Sequence, residues 1–156
     1  MNGRHHWQIG AGQAIDLRSP RIMAILNITP DSFSDGGRLP TVDAAVEHGA
    51  RAVADGADVL DIGGESTRPG AQRVSAAEQL DRVGPVIESL SAALPGIPLS
   101  VDTTLAEVAA EAVRLGAAVV NDVSAGLDDP DAANRARLHR LRRAAATVAE
   151  PRLRHA

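Results

Sequence analysis

Val59-Leu60-Asp61-Ile62-Gly63-Gly64-Glu65-Ser66-Thr67-Arg68-Pro69-Gly70 passes within 12 residues from an apolar run, through a carboxylate, into a glycine-rich loop of hydroxyls and one guanidinium. An apolar run without polar alternation is the pattern of a parallel strand buried on both faces. The same transition recurs in Ile22-Met23-Ala24-Ile25-Leu26 before Asn27, and in Ile97-Pro98-Leu99-Ser100-Val101 before Asp102. It returns once more in Ala117-Ala118-Val119-Val120 before Asn121 and Asp122. In α/β enzymes chemistry collects at the carboxyl ends of such strands. Each of the four runs therefore delivers a carboxylate or a carboxamide to the place where a ligand would sit.

Helical periodicity fills the intervals. The spacing predicts a first helix over 41–55, with Val42, Ala45, Val46, Gly49 and Val53 on one face and Gly56 as its stop. A second begins at the capping box Ser75-x-x-Glu78 and carries Leu80, Val83, Ile87, Leu90 and Leu94; Gly84-Pro85 inside it predicts a kink or a break. A third opens at a second box, Thr104-x-x-Glu107, presents Leu105, Val108, Ala109, Ala112 and Val113, and stops at Gly116. Residues 1–20 read as a short hairpin centred on Gly10-Ala11-Gly12. The order is βαβαβαβ with right-handed crossovers. A flavodoxin-like open sheet and a segment of a (β/α)8 barrel both satisfy it.

Composition narrows the class. A chain of 156 residues forms one domain with a real core, short of the roughly 250 residues of a whole (β/α)8 barrel. Trp7 and Phe33 are its only aromatic residues, so aliphatic side chains build the core. The absence of cysteine excludes disulfides and thiolate metal sites and points to a reducing, cytoplasmic setting. No apolar run approaches the roughly 20 residues of a membrane span. The net charge of −4 is unevenly spread. Residues 1–130 carry 9 Arg against 18 acids, whereas residues 131–156 carry 7 Arg against 2. All 16 cationic side chains are Arg, with no Lys. The Arg/Ala-rich tail holds Leu138, Leu141, Ala145 and Val148 at helical spacing, which predicts one amphipathic helix; no aromatic platform accompanies it, so nucleic acid is not an expected partner.

The loops after the first two runs are the chemical part of the chain. Asn27-Ile28-Thr29-Pro30-Asp31-Ser32-Phe33-Ser34-Asp35-Gly36-Gly37 is about twice the length of an ordinary βα loop of roughly 2–6 residues, and long polar loops at strand ends serve as lids or binding loops. In the second loop Gly63-Gly64 lets backbone approach a ligand, while Ser66, Thr67 and Arg68 offer donors to an anion. Asp102 and Asn121 end adjacent strands and should face each other across the mouth. A carboxylate takes two parallel N–H donors from an aminopyrimidine edge, and a carboxamide beside it both donates and accepts. Asp102 has an alternative role as an N-cap for the third helix, and Asp122 reads better as a turn residue. The five histidines lack second ligands at metal spacing and read as solvated.

These stretches resemble dihydropteroate synthase, a pterin-binding TIM-barrel family, over about Arg21 to Leu127. Leu26 to Gly37 is similar to its first motif and Asp61 to Gly70 to its second, with Ser100-Val101-Asp102-Thr103 and Val120-Asn121-Asp122-Val123-Ser124 matching the next two. The resemblance implies a partial (β/α)8 barrel of about four βα units plus an Arg-rich C-terminal helix. It also implies a transferase of folate biosynthesis, condensing p-aminobenzoate with (7,8-dihydropterin-6-yl)methyl diphosphate to release pyrophosphate, with sulfonamides competing for the aminobenzoate pocket. Under it, Asn27 would hold Mg2+, Asp102 and Asn121 the pterin, and Thr67 the diphosphate. Phe33, Arg68 and Pro69 would shape the aminobenzoate pocket, and Asp35 would order the first loop around the reacting carbon. The family continues through four further βα units that bring a second pterin-facing Asp, a pterin-binding Lys and an Arg-x-His group. With no lysine present and no fifth apolar strand after Asp128-Asp129-Pro130, the expectation is a truncated chain: residues 1–130 as the N-terminal half of the barrel, residues 131–156 as a divergent tail, and low or no activity alone. The alternative is a non-catalytic pterin- or diphosphate-binding half-barrel that pairs with another chain, and self-association into a homo-oligomer fits either.

Overall fold

A computed structural model describes residues 5–29, 41–66, 73–125 and 127–129. Its elements run β1 (His6–Gln8), a 3-10 turn (Gly10–Gly12), β2 (Ala14–Asp16), β3 (Met23–Asn27), α1 (Val42–Ala54), β4 (Val59–Gly63), α2 (Ala76–Ala93), β5 (Leu99–Asp102), α3 (Ala106–Arg114) and β6 (Val119–Asn121). β1 and β2 form the antiparallel hairpin expected around Gly10-Ala11-Gly12. β3 to β6 form one parallel sheet in strict chain order. That order separates the two topologies left open by periodicity: an open doubly wound sheet reverses direction at a switch point, whereas a barrel adds each strand beside the last. The fold is a partial (β/α)8 barrel. The predicted tail helix lies outside the described residues.

Pleating divides each strand between two faces. Leu26, Leu60, Ile62, Leu99, Val101 and Val120 point outward into a core completed by Val83, Val86, Ile87 and Leu90 of α2 and Val108, Ala109 and Ala112 of α3. On the other, concave face Met23, Val59 and Val119 pack with Trp7, Ile9 and Ile15 of the hairpin. The Gly10 N–H also donates to the Ala118 carbonyl at 3.1 Å, so the hairpin closes the amino end of that face. The opposite end is left to polar side chains.

Helix boundaries follow the expected punctuation, with two corrections. Thr41 caps α1 by accepting from Ala44 N at 3.2 Å, and Gly56 ends it with φ +109°. Ser75 caps α2 by accepting from Glu78 N at 3.3 Å, but the Glu78 carboxylate turns away to pair with Arg82. α2 then runs unbroken through Pro85, although that proline leaves the Asp81 carbonyl without its helical donor. Burial of Val83, Val86, Ile87 and Leu90 on either side of Pro85 outweighs the cost. At α3 the Thr104 box does not form, because the helix starts at Ala106 behind Leu105. Thr103 Oγ1 accepts from Leu105 N at 3.2 Å, and Asp129, 23 residues further on, accepts from Ala106 N at 2.9 Å. A capping group supplied from so far along the chain leaves no local signature.

Candidate active site

The sheet register brings the predicted residues into one line. Asn27 pairs with Gly63, Gly63 with Asp102, and Asp102 with Asn121, so the carboxyl ends of four strands place these residues in a single row on the concave face. Asn27, Asp102 and Asn121 therefore stand where the strand-end pattern puts them. The fourth place belongs to Gly63 and not to Asp61, because β4 runs two residues beyond Asp61. A Cβ at Gly63 would lie 3.3 Å from Asn27 Oδ1 and 3.8 Å from Asp102 Oδ2. The missing side chain keeps open a gap between an amide oxygen and a carboxylate.

Asp61 sits one pleat below the rim, in the row of Ile25, Ser100 and Val119. It is 2% exposed, and its Oδ2 accepts from Asn121 Nδ2 at 2.9 Å. Among the described residues its Oδ1 and the Ser100 Oγ are buried without a hydrogen-bond partner. Asp102 is half-buried above them. Burial, reinforced by the negative charges of Asp61, Asp122 and Glu65, pushes its carboxyl up to about 6. Three carboxylates thus lean on one that has lost water, and within the described residues none of the ion pairs reaches it. The site calls for a ligand that brings N–H donors.

Behind the rim a buried glutamine joins two strand-end loops. Gln79 of α2 is 3% exposed; its Nε2 donates to Glu65 Oε2 at 2.7 Å and to the Val74 carbonyl at 3.3 Å, while its Oε1 accepts from Thr103 Oγ1 at 2.9 Å. Glu65 also accepts from Val74 N at 3.2 Å, which ties together the two ends of the loop leaving β4. Gly64 belongs to this support as well. A Cβ there would come within 2.9 Å of Val83 Cγ1 and 3.2 Å of the Gln79 carbonyl, so glycine is needed for α2 to close on the strand. Asp122 is the turn residue expected, accepting from Ser124 N at 2.9 Å and Ser124 Oγ at 2.7 Å. Asp102 does not cap α3. Phe33, Asp35, Thr67, Arg68 and Pro69 lie outside the described residues.

Sequence reasoning misses Asp61 as a buried partner, Gly63 as a rim position and Gln79 as a hub. Gln79 falls on the apolar face of α2, four residues before Val83, and that placement is the available signal.

Among the described residues no group of three or more His, Cys, Asp or Glu could enclose a metal. Asn27 offers a single hard oxygen at the exposed end of β3. That donor suits Mg2+, which keeps several waters and binds through one or two protein oxygens together with substrate phosphates. It does not suit an ion held wholly by protein.

A (β/α)8 sheet with its polar groups gathered at the carboxyl ends of the strands places the chain in the class of TIM barrels, whose enzymes bind their ligands at that mouth. Within that class the chain belongs to the pterin binding enzyme family, which matches residues 23–152. It is 51% identical over 120 residues to the dihydropteroate synthase of Bacillus subtilis, a match covering 77% of this chain and 42% of that protein. It superposes with a TM-score of 0.77 and 51% identity on the Xanthomonas albilineans dihydropteroate synthase solved with 4-aminobenzoic acid, covering 88% of this chain and 51% of the other. The Yersinia pestis dihydropteroate synthase in a sulfonamide drug complex gives a TM-score of 0.79 and 46% identity over 88% of this chain and 49% of that one. The chain spans about half the length of these relatives.

Proposed function

We propose that the concave rim binds a reduced pterin diphosphate and that this chain supplies the pterin-reading half of a dihydropteroate synthase. The reaction joins p-aminobenzoate to the (7,8-dihydropterin-6-yl)methyl group with loss of pyrophosphate. The observation that carries it is the row Asn27–Gly63–Asp102–Asn121, where a carboxylate with no ion pair among the described residues sits beside an oriented carboxamide. An aminopyrimidine edge supplies the paired N–H donors that Asp102 requires. Asn27 would hold Mg2+, which when bound neutralises charge on the departing diphosphate. Thr67 and Arg68 would contact the anionic and aminobenzoate ends, with Pro69 and Phe33 excluding water around the amine and Asp35 ordering the first loop. The chain's own contribution is positioning and charge complementarity, without a covalent nucleophile. Sulfonamides would compete with the aminobenzoate, a reading supported by the sulfonamide drug complex of the Yersinia pestis enzyme.

Residues 1–130 would form the barrel half and residues 131–156 a divergent Arg/Ala-rich helical tail, in a cytoplasmic protein. Among the described residues no helix is long and apolar enough to cross a membrane. A second reading, a half-barrel that pairs with another chain, draws support from Ile25, which is 63% exposed on the concave face in the row of buried Asp61 and Ser100. A turnover assay with pterin diphosphate, Mg2+ and labelled p-aminobenzoate tests the division of labour. The chain alone is expected to give little or no dihydropteroate, and robust turnover by it alone would refute the need for further βα units.

A further inference from the structure

We infer that Asp61 is a positioning residue that fixes which way the Asn121 carboxamide faces, and so sets the donor and acceptor pattern that the rim offers a heterocycle. The inference rests on the pterin reading and adds to it a residue one pleat below the row that touches ligand. The amide group that meets Asp61 at 2.9 Å is the NH2, which donates to the acceptor Oδ2. Asn121 Oδ1 is thereby turned away from Asp61, and one amide N–H remains for other use. Because Asp102 and Asn121 are register partners, the rim then presents a carboxylate and an amide oxygen in sequence, an acceptor-rich edge that selects ligands bearing N–H groups. Both members of the lower pair are buried, Asp61 at 2% and Asn121 at 8% exposure, so water does not compete for the contact. Holding the amide before ligand arrives also removes a rotamer cost from binding.

The test uses pterin, which has an amino donor at its 2-position, and lumazine, which has a carbonyl there. Dissociation constants for both are read by fluorescence titration on the full chain. Asp61→Asn keeps shape but lets position 61 donate as well as accept, so the Asn121 amide loses its single orientation. The native chain should prefer pterin, and Asp61→Asn should shrink that preference by about tenfold or more, the scale of one hydrogen bond to a charged group. A purely structural role would weaken both ligands alike and leave their ratio intact, which overturns the inference. Should Asp61→Asn unfold, the double variant Asp61→Asn with Asn121→Asp rebuilds the buried pair with donor and acceptor exchanged. Recovery of the melting temperature together with the pterin preference supports the positioning role, because the carboxylate at position 121 again turns an acceptor to the rim; recovery of the melting temperature without the preference contradicts it. A native chain that binds neither ligand sinks the pterin reading itself. In that case NMR of the ligand-free chain still decides the orientation: a slowly exchanging Asn121 side-chain amide proton supports it and a freely exchanging one refutes it.

Discussion

The two faces of one sheet are built to opposite rules. Outward-facing Leu26, Leu60, Ile62 and Val101 meet three helices in an aliphatic core, while at the mouth the inward positions hold Asn27, Asp61, Ser100, Asp102 and Asn121. On the outer face small residues permit close approach: a Cβ at Gly49 would reach 2.9 Å from Leu90 Cδ2 and one at Gly64 2.9 Å from Val83 Cγ1. On the inner face a glycine keeps polar groups apart, and Asp61 Oδ1 and Ser100 Oγ lie buried without partners among the described residues. Short strands satisfy both rules because the pleat assigns alternate side chains to stability and to recognition. The comparison predicts that substitutions on the two faces separate: outer ones move stability, inner ones move binding and pH dependence.

The largest effect is expected on the outer face. Leu90 of α2 is fully buried, and Leu90→Ala should lower unfolding free energy by about 2–5 kcal/mol in urea titrations. Ligand affinity of the remaining folded fraction should be unchanged; a selective loss of affinity would break the division between faces. The next effect is one of pH and belongs to Asp102, whose carboxyl is pushed up to about 6 by burial and by Asp61, Asp122 and Glu65. A raised carboxyl favours the protonated folded state, so its contribution to stability is full below the ordinary carboxylate range and fades as pH rises through about 6. Binding of an N–H edge needs the ionised form and should run the other way, weakening about tenfold per unit as pH falls below 6. Parallel pH profiles for melting and binding would place the titrating group elsewhere. The smallest effect sharpens the account of α3. Asp129→Ala should cost about 0.5–2 kcal/mol by removing the carboxylate that meets Ala106 N, while Thr104→Ala should be nearly neutral. Equal losses in thermal melts would restore the local capping box.

How much of this is legible in the chain depends on how local the signal is. The four parallel strands, the hairpin and the three helices follow from periodicity and from Gly56, Ser75 and Gly116, each of which acts within a few residues, whereas the order of strands in the sheet does not. Asn27, Asp102 and Asn121 are legible because a strand end is a local event. The sequence pattern ends a strand at Asp61, whereas β4 continues through Ile62-Gly63 by pairing with β3 and β5 on both sides. The Thr104 cap fails for the same kind of reason, its place being taken by Asp129 from far along the chain. Gln79 is illegible because its partners Glu65, Val74 and Thr103 come together only when α2 packs across two loops. The extent of the second helix follows from its apolar stripe; of the kink or break expected at Gly84-Pro85, the break does not occur, since core burial on α2 overrides one missing backbone bond.

The central claim is that the Asn27–Gly63–Asp102–Asn121 row reads an aminopyrimidine through the Asp102 carboxylate. Calorimetric titration of the chain with pterin diphosphate and Mg2+ about 1.5 pH units above the Asp102 midpoint, repeated with Asp102→Asn, tests it most directly. Affinity is expected to fall about 10- to 100-fold in the variant, the loss of a hydrogen-bonded charge. Its melting temperature should hold or rise, because an ionised carboxylate that the fold disfavours has been removed. Identical isotherms for the two proteins would contradict the claim.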